Sequence, residues 1–134
     1  MQAEWSPRVD YDTQAYWEGC ERQELIIARC RDCSLWLHPP HAVCPECWSD
    51  NIGREPVSGD ASIYSFTVTP GARRPGHTVA ITVWAELAEQ ERLIIVADLE
   101  PCDAASVAIG MPLQLTWGQH GTATIPMFRT GLKQ

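Results

Sequence analysis

Two Cys-x-x-Cys pairs placed close together constrain the fold of this chain more than any other feature. The pairs are Cys30 with Cys33 and Cys44 with Cys47, and ten residues separate them. A turn of this kind is tight enough to direct both sulfurs to one point, and two such turns supply the tetrahedron of four thiolates that Zn2+ prefers. Four protein ligands leave no open coordination position. We therefore predict one structural zinc ion, which stabilises a segment too poor in apolar residues to fold without metal.

The spacing leaves two other uses of these cysteines open. Rubredoxin-like iron is held by the same four-thiolate arrangement, and a Cys-x-x-Cys pair can also act as a redox dithiol. Two histidines between the pairs, His38 and His41, are interpreted as surface residues or neighbours of the ligands, because four cysteines already satisfy the ion. Cys20 and Cys102 lack a Cys-x-x-Cys partner and are predicted to be small buried apolar residues.

The charge of the chain limits the classes of partner. Its 134 residues include 17 acidic and 10 basic side chains, and the formal net charge is -7. The summed field repels polyanions, which disfavours nucleic acid as a ligand. No stretch approaches the ~18 apolar residues of a membrane span, and residues 1–10 carry charges and a proline in place of the apolar run of a secretory signal. We expect a cytoplasmic protein with no membrane partner, whose cysteines bind metal and do not form disulfides.

The pattern of apolar residues divides the chain into three predicted segments. Residues 1–24 form an N-terminal helical segment, residues 25–57 the zinc ribbon and residues 58–134 a barrel domain. Within the first segment, the range from Tyr11 to Glu24 is interpreted as a short helix with one buried stripe.

Alternating apolar residues predict five strands in the barrel domain. In the first strand, strict alternation places one set of side chains on a common face: Ser62, Tyr64, Phe66 and Val68. The other strands are predicted at residues 79–87, 92–99, 113–117 and 122–128, with a short helical segment within 101–112. Five strands with one short helix between the third and fourth are typical of an OB-fold barrel. The chain is therefore predicted to be mainly β, with an N-terminal helix, a zinc ribbon and a C-terminal five-stranded barrel.

The number of tryptophans suggests a partner surface. There are six in the chain, more than a core of this size requires, and four of them fall in the helical segment and the ribbon: Trp5, Trp17, Trp36 and Trp48. Trp17 is interpreted as packing over the ribbon, but we do not expect all four to be buried in this way, so some are expected to lie at an interface. Ser34 and Trp48 follow the two cysteine pairs, where glycine would most easily take a left-handed turn, and we expect local backbone strain or a slightly different turn there.

Residues that could carry catalysis do not form a convincing set. A nucleophile beside a base, paired carboxylates or a metal with an open position would be needed. The individual candidates are interpreted as loop or structural residues: His77, His120, Cys102 and Asp98. An inward-pointing Asp98 would need a partner. We therefore predict that the chain is not an enzyme by itself.

The loop between the first two barrel strands carries candidate ligand contacts. It runs from Pro70 to Gly76 and includes Arg73 and Arg74, a local positive spot in an acidic protein. The loop lacks the lysine and the helix start of a phosphate-binding P-loop, but the long loops of OB-folds bind ligands. The two arginines are candidates for contacting the phosphates of coenzyme A. A solvated loop is the alternative.

Several segments together resemble the domain-of-unknown-function 35 (DUF35) family. They are Tyr16-Trp17-Glu18-Gly19, Arg29-Cys30-Arg31-Asp32-Cys33, Pro39-Pro40, Cys44-Pro45-Glu46-Cys47, Ser58-Gly59, Ile63-Tyr64-Ser65-Phe66-Thr67-Val68 and Ile109-Gly110-Met111. Their order and spacing cover nearly the whole chain. The chain departs from the family pattern at Ser34 and Trp48, where glycine is common, and at His41, where arginine is frequent.

The resemblance implies both a fold and a role. Members of the family combine an N-terminal helical segment, a rubredoxin-like zinc ribbon and a C-terminal OB-fold. They are typically small subunits of thiolase-type acyl-CoA enzymes, among them thiolases, hydroxymethylglutaryl-CoA synthase, acetyltransferases and the lipid-transfer-protein-like aldolases of steroid side-chain breakdown. The resemblance implies a non-catalytic subunit that stabilises such an enzyme and helps to bind or channel the acyl-CoA, with two copies on a partner dimer. The alternatives are nucleic-acid binding, a stand-alone acyl-CoA hydrolase or transferase, and a rubredoxin-like electron carrier.

Overall fold

The computed structural model describes residues 5–70 and 79–130. Its structure is mainly β, with one helix near the N-terminus, a ribbon that carries four cysteines and a closed five-stranded barrel. The predicted fold class is therefore confirmed. The chain forms two compact units, of which the first holds Met1–Ser58 with Gly118–Ile125 and the second holds the remaining residues. The division into three segments along the chain stays a prediction.

The first unit contains the helix and a three-stranded antiparallel sheet. The helix α1 spans Gln14–Glu21, and the strands are β1 (Ile26–Cys30), β2 (Trp36–Leu37) and β3 (Ile52–Pro56). The sheet has the order β2-β1-β3. The central strand β1 is almost entirely buried, as expected for an apolar strand with neighbours on both edges.

The helix is shorter than the predicted range. Before it, Asp10 and Thr13 close a turn in which the Asp10 N–H donates to Thr13 Oγ1 (3.1 Å) and the Thr13 N–H donates to Asp10 Oδ1 (3.0 Å). After it, the left-handed backbone of Gln23 (φ 59°) ends the helical run. No helix within the described ranges has the length and apolar character needed to cross a membrane.

A glycine in the last turn of α1 allows the helix to approach β1 closely. Gly19 is buried, and a Cβ atom at this position would lie 2.5 Å from Ile26 Cγ1 and 2.7 Å from the carbonyl oxygen of Glu24. Glycine weakens a helix by about 1 kcal/mol relative to alanine. The helix therefore keeps an unfavourable residue because a larger one would not fit against the sheet.

The second unit contains most of the barrel. Its strands are β4 (Asp60–Pro70), β5 (Val79–Leu87), β6 (Ile94–Leu99), β7 (Pro112–His120) and β8 (Ala123–Thr130). They close in the order β4-β5-β6-β8-β7, and β4 also pairs with β7. All the described pairings are antiparallel except that of β6 with β8, which is parallel. A single 3-10 turn, Ala104–Ser106, lies between the third and fourth strands, where the sequence predicted a short helical segment.

Inward-facing apolar side chains fill the barrel. On β5 every second residue from Ile81 to Leu87 is buried, as the alternation predicted. Other strands contribute further buried side chains: Ile63, Ile95, Leu99, Leu113, Met127 and Phe128. Each such side chain stabilises the fold by roughly 1.5–3 kcal/mol relative to its exposed state.

The alternation predicted for the first barrel strand is wrong. A β-bulge lies between Ile63 and Ser65, and Tyr64 is the extra residue. The bulge shifts every later residue by one position, so that Phe66 lies opposite Val83, a buried core residue. Tyr64 and Phe66 therefore do not share a face, because the period of two does not hold across a bulge.

Candidate metal centre

The four ribbon cysteines bring their sulfurs together. The Sγ atoms of Cys30 and Cys47 are 3.5 Å apart, those of Cys33 and Cys44 are 3.6 Å apart, and all four lie within 4.8 Å of one another. In a tetrahedron with Zn–S bonds of about 2.3 Å the sulfurs are ~3.8 Å apart, whereas a disulfide needs ~2.05 Å. The spacing suits four thiolates around one ion, and all four cysteines are free.

The two turns that carry the cysteines have the same backbone hydrogen bonds. In both turns the first cysteine accepts a bond from the N–H four residues on and donates to the carbonyl five residues on. The distances are 2.9 and 2.8 Å in each turn, for Cys30 with Ser34 and Leu35 and for Cys44 with Trp48 and Ser49. We call residues 30–34 the first knuckle and residues 44–48 the second knuckle. Because both knuckles have the same backbone hydrogen bonds, each holds its pair of sulfurs in the same way.

The residues that end the knuckles have left-handed backbones. The φ angle is 69° at Ser34 and 64° at Trp48, a conformation that costs a non-glycine residue about 1–2 kcal/mol. This is the position at which the sequence predicted strain. Trp48 is also 79% exposed, so burial of its ring does not offset the cost.

A short chain of hydrogen bonds joins the two knuckles. The Ser49 hydroxyl, just after the second knuckle, donates to the carboxylate of Asp32 in the first. The Asn51 N–H donates to Ser49 Oγ (3.0 Å), and the Arg31 N–H donates to the Asn51 carbonyl oxygen (2.9 Å). These bonds fix the position of one cysteine pair relative to the other.

Arg29 supports the first knuckle from the sheet. Its guanidinium lies 4.5 Å from the ring centroid of the buried Trp36, and its Nε donates to the carbonyl oxygen of Ser34 (2.9 Å). The same guanidinium lies 3.5 Å from the Glu55 carboxylate. A cation above an aromatic face is attracted by the ring quadrupole, so Arg29 ties the strained end of the knuckle to β2 and β3.

The hydrogen bonds within the cluster give its thiols different pKa values. The backbone N–H of Cys33 lowers the pKa of Cys30 to about 7. At Cys47 the backbone N–H of Ser49 acts in the same direction, but the hydrogen bond with Cys30 and burial outweigh it and raise the pKa to about 12. The Cys30 thiol therefore loses its proton more readily than the neighbouring Cys47 thiol. A bound cation would remove this conflict, because its charge stabilises all four thiolates, and the donor set therefore fits a metal ion.

The histidines between the cysteine pairs lie outside this group. His41 is exposed, and half-buried His38 stacks on Tyr16 with a centroid distance of 6.0 Å. Burial lowers the pKa of His38. In the part of the chain that the structure describes, the four cysteines are the one group of His, Cys, Asp or Glu side chains spaced to hold a metal ion.

The two remaining cysteines differ from each other. Cys20 is buried, as predicted, and burial raises its pKa to about 11. Cys102 is exposed, so its predicted burial is wrong. The reason is its place in the connection between β6 and the 3-10 turn, where the apolar pattern of a strand has already ended.

The other sequence candidates that lie within the described ranges do not converge. Asp98 is half-buried on the outer side of β6 and accepts a hydrogen bond from Thr82 Oγ1 (3.3 Å). His120 lies against Trp5, with a centroid distance of 4.9 Å. The proposed coenzyme A contacts Arg73 and Arg74, together with His77, fall in residues 71–78, outside the described ranges.

The tryptophans of the N-terminal segment and the ribbon are partly exposed, as expected. Trp48 and Trp5 are 79% and 45% exposed, while Trp36 is buried. Trp17 is half-buried, between Trp5 at 6.3 Å and Tyr16 at 5.0 Å between ring centroids. Both neighbours belong to the N-terminal segment, so the packing of Trp17 over the ribbon stays a prediction.

Trp84 on β5 is a surface residue that the sequence reasoning missed. It is 48% exposed. The signal was present, because the alternation that buries Val83 and Ala85 places Trp84 on the opposite face of the strand.

Comparison with known proteins gives the chain its family. A family model described as the ChsH2 rubredoxin-like zinc ribbon domain matches residues 17–53, which contain both knuckles. In a structure described as the Ltp2-ChsH2(DUF35) aldolase, one chain superposes with a TM-score of 0.83 and 27% identity, covering 95% of this chain and 100% of that one. The chain belongs to the DUF35 family. The resemblance noted in the sequence is therefore confirmed.

Two further DUF35 proteins agree with this assignment. A scaffold protein of Methanocaldococcus jannaschii, described as containing a DUF35 domain, is 28% identical over 95 residues, which cover 70% of this chain and 67% of that protein. A DUF35 structure from Sulfolobus solfataricus has a TM-score of 0.64 at 12% identity, with 91% of this chain and 87% of that one covered. At that identity the second comparison shows the fold alone.

Two curated relatives of this DUF35 chain are much longer. One, from Thermomonospora curvata, is described as a probable enoyl-CoA hydratase alpha subunit and is 30% identical over 130 residues. The other, from Mycobacterium tuberculosis, is described as a 3-oxo-4,17-pregnadiene-20-carboxyl-CoA hydratase alpha subunit and is 36% identical over 115 residues. The alignments cover 96% and 83% of this chain but only 40% and 35% of the relatives.

Proposed function

We propose that this DUF35 chain is a non-catalytic subunit that assembles with a thiolase-fold acyl-CoA enzyme, stabilises it and helps to bind or channel the acyl-CoA. The observation that carries the proposal is the end-to-end match to one chain of the Ltp2-ChsH2(DUF35) aldolase, with a TM-score of 0.83 over 95% of this chain. A scaffold protein among the relatives supports a role without catalysis of its own. Because thiolase-type enzymes are usually dimers, the proposal includes two copies of this chain on one partner dimer.

The proposal includes one structural zinc ion held by Cys30, Cys33, Cys44 and Cys47. The close sulfurs and the match to a zinc ribbon model support it. Structural zinc is worth about 10–16 kcal/mol in small ribbon modules, which exceeds the stability of most domains of this size. The ion would therefore hold the ribbon together and take no part in turnover. A cytoplasmic location belongs to the proposal too, because reducing conditions keep the cysteines as thiols.

Metal content and one serine variant test the zinc centre. Freshly purified protein should hold one zinc per chain and be colourless, whereas an iron tetrathiolate would be red. Cys47→Ser should give insoluble or protease-sensitive protein, because it opens the tetrahedron, and Cys102→Ser is the matched control at an exposed cysteine. Less than about half an equivalent of zinc, or a fully folded Cys47→Ser variant, would contradict a structural centre.

Arg73 and Arg74 are proposed to contact the phosphates of the coenzyme A moiety when the complex is assembled. Guanidinium groups bind phosphate oxygens in a bidentate geometry. Changing both to alanine should raise the KM of the complex for its acyl-CoA and leave assembly intact. Arg92→Ala, in the turn between β5 and β6, is the matched control. Unchanged kinetics in the double variant would assign the two arginines to a solvated loop.

A second partner class is favoured by the names of two relatives. Both are described as alpha subunits of CoA-ester hydratases, so this chain could assemble with a hydratase in place of a thiolase-fold enzyme. The two candidates differ in the bond that changes: hydration adds water across a carbon-carbon double bond, whereas thiolase and aldolase reactions break or form a carbon-carbon single bond. Assaying one purified complex for both reactions separates them.

Co-expression tests the proposed assembly. The chain should elute from size-exclusion chromatography in one complex with a thiolase-like acyl-CoA enzyme of the same organism, with two copies of each chain by light scattering. Carbon-carbon bond chemistry should need both proteins, and this chain alone should turn over no acyl-CoA. If it elutes alone and the thiolase-like protein is fully active without it, the accessory role is wrong.

A further inference from the structure

The outer side of three neighbouring strands carries a row of exposed apolar side chains. Trp84 on β5 lies opposite Val96 on β6. On the other side of Trp84, the β4 bulge sets both Ser65 and Tyr64 against it. The exposed fractions are 48% for Trp84, 56% for Val96 and 47% for Tyr64. We call these three residues the outer row.

The sequence of β6 is that of a strand covered on both faces. Three of its side chains are buried in the barrel: Ile95, Ala97 and Leu99. A strand with one face in water usually alternates apolar with polar residues, whereas an apolar run is typical of a strand buried on both sides. Ile94 and Val96 are on the outer side and are apolar as well. Among residues 5–70 and 79–130, none covers Val96 fully, and it is 56% exposed, which favours this side as a surface for a partner.

Carboxylates border the outer row. Glu86 on β5 and Asp98 on β6 lie one outward position away from Trp84 and Val96, on opposite sides of the row. Each accepts a hydrogen bond, Glu86 from the Arg92 N–H (2.8 Å) and Asp98 from a threonine hydroxyl (3.3 Å). The three strands contain a third acid at the start of β4 and no lysine or arginine.

We infer that the outer row is the docking surface for the partner enzyme, and that it fits a partner surface with an apolar centre and lysine or arginine at its edge. Interfaces bury aromatic anchors at their centre, and charges at the rim steer and orient the partner. A basic rim would face Glu86 and Asp98 while apolar side chains cover Trp84 and Val96. The inference rests on the proposed function for the existence of a partner, and adds where that partner binds and what its surface carries.

A second copy of the same chain fits this surface less well. In a two-fold contact both subunits present the same patch, so the two sets of carboxylates would meet in one interface. Like charges in an interface weaken association. The charge pattern therefore favours a different chain with basic residues over self-association.

Variants of the outer row test the inference in the full-length chain, with the thiolase-like enzyme of the co-expression experiment as the probe. Trp84→Ser and, separately, Val96→Thr should each raise the Kd for that protein, by about tenfold for Trp84→Ser. Tyr11→Ser is the matched control, since it removes an exposed aromatic side chain from the turn before α1 and should change the Kd by less than about twofold. Zinc content and melting temperature should stay at wild-type values in every variant, because the replaced side chains are exposed.

Salt and oligomeric state complete the test. Raising NaCl from about 0.05 to about 0.3 M should weaken wild-type binding, and Asp98→Asn should reduce that salt dependence. Equal Kd values for wild type, Trp84→Ser and Val96→Thr would overturn the inference while leaving the accessory role intact. A wild-type chain that binds no partner would overturn both. A homodimer of the chain alone that Trp84→Ser dissociates would assign the outer row to a second copy and would also overturn the inference.

Discussion

The Ser49 hydroxyl donates a hydrogen bond to the carboxylate of Asp32, and this bond joins the two halves of the cysteine cluster. The two residues stand 17 positions apart in the sequence, each beside a different Cys-x-x-Cys pair. Neither is a candidate ligand. Their contact fixes where the second pair of sulfurs lies relative to the first.

Asp32→Ala should therefore weaken zinc retention while leaving all four thiolates in place. Outer partners of metal sites typically contribute 10–100-fold in affinity, and we expect zinc transfer to a competing chelator to become about tenfold faster. A colorimetric chelator assay measures this rate. Asp50→Ala, which removes the same charge from an exposed neighbouring position, is the control and should behave as wild type. Equal rates for the two variants would mean that the bond does not hold the knuckles together.

Gly19→Ala should destabilise the protein, although alanine is the better helix former. In an exposed helix the change would stabilise by about 1 kcal/mol. Here the new Cβ would meet Ile26 Cγ1 at 2.5 Å and the Glu24 carbonyl oxygen at 2.7 Å, and overpacking of this kind costs about 1–3 kcal/mol. Urea denaturation at saturating zinc measures the free energy of unfolding. Glu21→Ala, at an exposed position of the same helix, should be close to neutral, and a more stable Gly19→Ala variant would contradict the packing of α1 on β1.

Gly121→Ala should detach the segment around Trp5. Gly121 has a left-handed backbone (φ 60°), and a Cβ there would lie 1.8 Å from the Trp5 carbonyl oxygen, which accepts a hydrogen bond from the Thr122 N–H (3.0 Å). We expect a lower melting temperature and faster proteolysis near the N-terminus.

Gly121→Ala is expected to destabilise the protein for two reasons, the left-handed backbone and the clash with Trp5. The variant Gly110→Ala separates them. Gly110 has the same left-handed conformation (φ 88°), but nothing lies within 4 Å of the added Cβ. This variant should be destabilised only by the conformational cost of about 1–2 kcal/mol. If the two variants are equally destabilised, the close approach of Trp5 to Gly121 does not contribute.

Alkylation of the zinc-loaded protein should modify Cys102 well before Cys20. Cys102 is exposed, whereas Cys20 is buried and its pKa is raised to about 11. Because the thiolate is the reactive form, the rate at Cys102 should rise with pH between about 7 and 8, while Cys20 stays protonated and shielded. Mass spectrometry after brief treatment with iodoacetamide identifies the labelled residue. Cys102→Ala should remove the fast label, and prompt modification of Cys20 would show that the helix opens readily.

The metal site and the barrel were largely predictable because both depend on short-range patterns. The spacing of the cysteines places four sulfurs together whatever the rest of the chain does, and the alternation from Ile81 to Leu87 identifies the core face of β5. The bulge at Tyr64 was not predictable in this way. It is created by pairing with β5, and a period of two cannot reveal where one residue is added.

Contacts between distant segments account for the other differences. The exposure of Cys102 depends on where β6 ends, and the need for Gly19 depends on how closely α1 approaches Ile26. The bond between Asp32 and Ser49 joins side chains that are polar and unremarkable in the sequence. Each of these features requires the position of a second segment, which composition and spacing do not supply.

Closure of the barrel decides what a partner can recognise. β4 pairs with both β5 and β7, and β6 pairs with both β5 and β8, so the backbone amides of these strands are directed at one another. A peptide strand cannot add at these paired positions, since strand addition needs an open edge. At these positions the proposed partner enzyme would be recognised through side chains on the barrel wall. In the proposed accessory role, the chain could change its choice of partner by surface substitutions that leave the backbone of the barrel untouched.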